Sequence, residues 1–95
     1  MIEHVVLFKM HESYLSEVEV LKEKLDALEQ TVDAVERIET GVNLARRSDA
    51  YDLILKVYVK DEASLKEYAG HPAHQAVLSY IRKTVDKTAV VDFWK

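Results

Sequence analysis

From Ile2 to Met10 the chain alternates. Ile2, His4, Val6, Phe8 and Met10 fall on one side of an extended segment, and Val5 and Leu7 on the other, which is the two-residue period of a strand. A polar turn follows, His11 to Leu15. Ser16-Glu17-Val18-Glu19 has the form of a capping box and predicts a helix start. Val18, Leu21, Leu25, Leu28 and Val32 then recur at spacings of three and four as one apolar stripe, with Glu17, Lys22, Glu23, Lys24 and Asp26 off it. The stripe lasts only about two heptads, so this helix is expected to pack on a sheet and not in a coiled coil.

Val35–Leu44 reads as a second, weaker strand with Ile38, Val42 and Leu44 on one side, and Gly41 suggests a bulge or a close backbone approach. Ala45–Asp49 is a polar loop. Tyr51–Val59 is the strongest strand, with Tyr51, Leu53, Leu55, Val57 and Val59 on one face and Ile54 and Tyr58 on the other. Asp61 is placed to cap a short helix carrying Leu65, Tyr68 and Ala69, and Gly70 suits its end. Pro72 suits the first turn of another helix, running to about Thr84 with His74, Val77, Leu78, Ile81 and Val85 on one side. Ala89–Trp94 is the last strand, with Ala89, Val91 and Phe93 facing one way and Val90 and Trp94 the other. No internal repeat, low-complexity tract or linker interrupts this order.

The order β-α-β-β-α-β predicts an α+β, ferredoxin-like domain with a four-stranded antiparallel sheet. Its helices can shelter only one sheet face, yet strands one, three and four carry apolar residues on both. Several large side chains per subunit would face water, at roughly 1.5–3 kcal/mol each. A second copy of the same sheet covers them without new sequence, so a homodimer through the open sheet face is expected, closing into an α/β barrel around a chamber.

Composition narrows the function classes. With 95 residues the chain is expected to be a single domain spanning 1–95. Alone it would bury only about 60–65% of its unfolded surface, which again favours a dimer. It has no cysteine, which excludes disulfides, thiolate metal sites and thiol catalysis, and is compatible with the cytoplasmic location expected for it. The first residues lack the basic and apolar regions of a secretory signal, and no stretch has the roughly 18 apolar residues of a membrane span. Seventeen acids against thirteen bases leave a net charge of −4, the wrong sign for a nucleic-acid surface. The nearest basic patch, Arg46-Arg47, sits beside Asp49 and Asp52.

Three stretches carry a family resemblance: Ile2-Glu3-His4-Val5-Val6-Leu7-Phe8-Lys9, Tyr51-Asp52-Leu53-Ile54-Leu55, and Val90-Val91-Asp92-Phe93. The most specific is Tyr68-Ala69-Gly70-His71-Pro72-Ala73-His74, followed by Val77 and Ile81-Arg82. Together they resemble the stress-responsive dimeric α/β-barrel (Dabb) domain, whose last helix opens with His-Pro-x-His. The resemblance spans the chain and implies the dimeric barrel that the two-faced strands suggest. Most members of that family have no assigned reaction, and a minority are polyketide cyclases that close a linear polyketone by intramolecular aldol condensation. The cyclases use a His on the first strand, a Tyr three residues before the motif and the motif's second His. By position these fall on His4, Tyr68 and His74. The same histidines occur in relatives without cyclase activity, so the match permits this chemistry without establishing it.

Each candidate has a plain alternative. His74 sits in the first turn of its helix, where the dipole disfavours imidazolium, and a neutral imidazole can take a proton from a carbon next to a carbonyl; otherwise it caps the helix or bonds to backbone. Tyr68 can donate to a developing enolate, or be an ordinary half-buried tyrosine. His4 is a polar group on the face expected to line the chamber, and needs a partner there. A ligand in the chamber is expected to touch these three residues and His71. Val6, Phe8 and Leu78 supply the apolar contacts. His71 and His74 are close enough in sequence to share a metal, but no third ligand is evident, so neither a metal nor a cofactor is expected. Phe93 and Trp94 are read as packing or dimer contacts. Three functions stay open: a small-molecule binding or stress-response protein, a proton-transfer enzyme of the aldol-cyclase kind, and an oxygenase or haem-linked enzyme.

Overall fold

The computed structural model describes residues 1–45 and 47–95. Strand β1, Ile2–Met10, leads through a 3-10 turn, Glu12–Glu17, into helices α1, Val18–Asp26, and α2, Leu28–Thr31. Strands β2, Val35–Val42, and β3, Leu53–Val59, follow, then helices α3, Glu62–Gly70, and α4, Pro72–Thr84, and strand β4, Val85–Trp94. The sheet order is β2-β3-β1-β4, with antiparallel pairing throughout. No helix among the described residues is long and apolar enough to cross a membrane.

The helices cover the face to which β1 contributes Ile2, Val6, Phe8 and Met10 and β3 contributes Leu53, Leu55, Val57 and Val59, all buried. Leu21 and Leu25 of α1, Leu28 of α2, Val32, Tyr68 of α3 and Val77 of α4 complete that core. This face carries no charged residue on β1 or β3. The open face does. Its cross-strand rows are Arg37–Tyr58–Glu3–Phe93, Glu39–Lys56–Val5–Val91 and Gly41–Ile54–Leu7–Ala89. Glu3 is buried there, bonded 3.0 Å from Lys95 Nζ, and the Tyr58 hydroxyl donates to Glu39 at 2.9 Å. The open face is therefore apolar toward one end and ionic toward the other.

Several local expectations change. The segment after β1 is a 3-10 turn, and Ser16 makes no cap bond, because the turn feeds directly into α1 with Glu17 at the cap position. β2 stops at Val42. Asn43 then bonds across to the Tyr51 carbonyl at 2.6 Å and accepts from the Ala45 amide at 2.8 Å, which turns the chain out and leaves Leu44 98% exposed. Gly41 has ordinary backbone and an ordinary contact with Ile54; the irregularity between β2 and β3 lies between Val35 and Arg37. Of the basic pair, Arg46 lies outside the described residues, and Arg47 forks onto Asp49 at 2.9 and 2.6 Å. Asp61 caps α3, accepting from the Ser64 amide at 2.9 Å.

Candidate functional site

Two helix ends and two strands meet at the candidate site. α3 ends at Gly70, and His71 turns the chain in extended conformation. The His71 ring nitrogen Nδ1 accepts from the Ala73 amide at 3.0 Å, so His71 caps α4, with Pro72 in the first turn where its missing N–H costs nothing. This tight junction sets Tyr68, in the last turn of α3, beside His74, in the first turn of α4. Their rings are 4.5 Å apart between centroids, and the His4 ring stands edge-on to Tyr68 at 6.0 Å.

The polar atoms are disposed unequally. Tyr68 is only 1% exposed and its hydroxyl has no hydrogen-bond partner. Burial pushes this phenol well above its ordinary pKa, so it stays protonated and acts as a donor. The His74 Nδ1 lies 2.9 Å from the Ala69 carbonyl, which can only accept. The proton is therefore on Nδ1, and Nε2 keeps a free lone pair. Burial lowers the His74 pKa, the hydrogen bond to Ala69 opposes this, and the neighbouring His4 and His71 add to the lowering. His74 is thus held neutral as a base. His4, mid-strand in β1, touches the Asp92 carboxylate of β4 through Nδ1.

These groups line a cleft of about 300 Å3, with Leu65, Lys66 and Ala69 of α3 forming its remaining wall. A volume at the low end of ligand pockets suits a small molecule. Two of the larger depressions carry less chemistry. One of about 380 Å3 on the open sheet face, around Leu7, Gly41 and Ile54, is apolar. One of about 450 Å3 holds Lys9, Arg47 and Asp52, but Lys9 is bonded to the Ala50 carbonyl and Asp52 to the Met10 amide.

His4, Tyr68 and His74 are brought together. Val6 and Phe8 share the His4 face but are packed in the core and do not line the cleft; nor do His71, spent on its cap, and Leu78, half-buried farther along α4. The location also corrects the expectation of a site between two sheets. The trio stands on the helix-covered face, so a chamber closed by a second sheet would lie on the opposite side. Among the described residues no cluster of three His, Asp or Glu side chains stands ready for a metal ion. Asp92 and Lys66 escaped the sequence reading. The alternation placing Val90 and Trp94 on one side of β4 also puts Asp92 there, and pairing β1 with β4 sets Asp92 directly opposite His4.

The sequence matches the stress responsive A/B barrel domain over residues 2–95. The chain belongs to this family. A relative in sequence, an uncharacterized protein of Streptomyces coelicolor, is 36% identical over 86 residues, 87% of this chain and 89% of its own length. A dimeric ferredoxin-like protein of unknown function from Bacteroides fragilis superposes with a TM-score of 0.82 at 25% identity, covering 99% of this chain and 95% of its own. A hydroxynitrile lyase from Passiflora edulis superposes with a TM-score of 0.83 at 11% identity, over 97% of this chain and 90% of its own.

Proposed function

We propose that this A/B barrel protein is a homodimer joined through its open sheet face. Each subunit's cleft binds a small carbonyl compound and moves a proton at the carbon beside the carbonyl. The observation that carries the reading is the buried, unpartnered hydroxyl of Tyr68, on a ring whose centroid lies 4.5 Å from that of His74, whose Nε2 is left unprotonated. A carbonyl oxygen accepting from Tyr68 supplies the missing partner. The adjacent C–H then faces a neutral imidazole. His74 takes the proton, the electron pair moves onto oxygen as an enolate, and the Tyr68 donor stabilises it. Returning the proton completes an exchange. Attack of the enolate carbon on a second carbonyl of the same molecule, with the new alkoxide taking the proton from His74, gives an aldol cyclisation. His4, held by Asp92, stands edge-on to Tyr68. The dimeric relatives of this fold support the assembly.

Deuterium exchange tests this. The wild-type protein should accelerate exchange at the central carbon of 2,4-pentanedione in D2O over buffer, and His74→Ala should reduce the acceleration at least about a hundredfold, the typical worth of a positioned base. Binding without acceleration would leave a binding protein and remove the chemistry.

A further inference from the structure

Beyond the cleft the same sheet face continues toward the C-terminus. Trp94 follows Asp92 by two residues on β4, one strand repeat of about 6.5–7 Å along the same face, and lies opposite Ile2 of β1. A groove of about 160 Å3 runs there, lined by Ile2, Glu62, Leu65, Asp92, Phe93 and Trp94. Groove and cleft share Leu65 and Asp92, so two side chains, one of them an Asp carboxylate 43% exposed, form the border between them. The Trp94 side chain is 60% exposed although the buried Ile2 is its direct cross-strand neighbour. The groove lies between this end of the edge strand and Glu62 and Leu65 of α3.

We infer that the ligand is elongated, with its carbonyl head at Tyr68 and His74 and an uncharged alkyl or aryl tail lying over Asp92 onto Ile2, Leu65 and Trp94. This rests on the reading of the head site given above. The occupant follows from continuity and charge. The groove adjoins the cleft across Leu65 and Asp92, Ile2, Leu65 and Trp94 give it apolar surface, and its two ionisable neighbours, Glu62 and Asp92, are both acidic, which excludes an anionic tail. Lys66, the cation among the residues lining the cleft, does not line the groove. Trp94 offers a flat face to either kind of tail.

The test uses two diketones and the single tryptophan of the chain. Each methylene buried on the groove should raise affinity up to about fourfold, so 2,4-nonanedione should bind on the order of ten- to a hundredfold more tightly than 2,4-pentanedione. Trp94→Ala should collapse that ratio to about threefold or less, and Trp94→Phe should restore much of it. In 15N-labelled protein the lone indole N–H resonance should shift with 2,4-nonanedione and stay nearly still with 2,4-pentanedione. Equal affinities, or an indole that stays still while the Ala69 and His74 amides move, would overturn the tail site and leave proton transfer standing. If neither diketone moves those amides or undergoes catalysed exchange, the head reading fails and the tail site falls with it. An indole shift that follows protein concentration without ligand would assign the groove to a second copy of the chain, and overturn the inference.

Discussion

Tyr68 sets stability against use. A buried hydroxyl without a partner costs about 1–3 kcal/mol, and nothing in the fold needs that oxygen, since the ring alone fills its place between sheet and helices. Tyr68→Phe should therefore raise the melting temperature by roughly 4–8 °C for each kcal/mol recovered, while lowering exchange about a hundred- to a thousandfold through loss of the enolate donor. A variant that melts lower would show that the hydroxyl holds the fold together. His74 adds a pH dependence. Its folded pKa lies below the ordinary 6.5 because burial disfavours the charged ring. As pH falls through 6.5 toward the lower folded value, the unfolded chain binds the proton first. Stability carried by the neutral ring is thus intact above 6.5 and declines below it, and His74→Gln should flatten that decline in urea titrations at stepped pH. Exchange should likewise hold down to pH 6.5 and weaken only below. On the alkaline side the raised Tyr68 pKa should keep the rate from falling near pH 10, where an ordinary phenol ionises.

Among the elements, the α3–α4 junction decides whether the two reactive side chains meet. His71 does its work as an acceptor, not as a ligand contact. Replacing it with Ala should cost α4 about 1 kcal/mol, whereas Asn, another side-chain acceptor at a helix start, should cost much less. Exchange should follow the cap: His71→Ala should lower the rate through a loosened His74, and His71→Asn should keep most of it. A rate unaffected in both variants would show that His74 is positioned by its Ala69 bond alone. This junction was legible in the residues, because Asp61, Gly70 and Pro72 punctuate it and the helix stripe beyond is regular. Elements ruled by distant or side-chain-specific contacts were not. Asn43 ends β2 by bonding to Tyr51, eight residues away, and no periodicity in Val35–Leu44 reports that. The 3-10 turn at Glu12–Glu17 replaces a helix start that Ser16 and Glu19 imitate. Asp92 meets His4 across 88 positions, through a strand pairing that local pattern does not contain.

The whole molecule turns on which side of the sheet does what. Two apolar faces are visible in the strand pattern, and both were needed to infer a partner. The choice between them is also written there, in the charges. The face carrying Ile2, Val6, Phe8, Leu55 and Val57 has none on β1 or β3 and goes under the helices. The face carrying Val5, Leu7 and Ile54 is flanked by Glu3, Lys9 and Lys56 and stays open. The apolar positions read without these neighbours put His4 in a chamber between two sheets, whereas it lines a cleft under the helices of its own chain. In the proposed dimer, assembly and cleft occupy opposite faces, and they should separate experimentally. Leu7 lies in the apolar row Gly41–Ile54–Leu7–Ala89, where a carboxylate buried against a second sheet would be left without a partner. Leu7→Asp should shift sedimentation at micromolar concentration from a dimer toward a 10.9 kDa species. The side chain points away from Tyr68 and His74, so whatever folded monomer remains should accelerate diketone exchange within a fewfold of the wild type per subunit. Loss of exchange in step with loss of the dimer, with circular dichroism unchanged, would show instead that the partner completes the cleft.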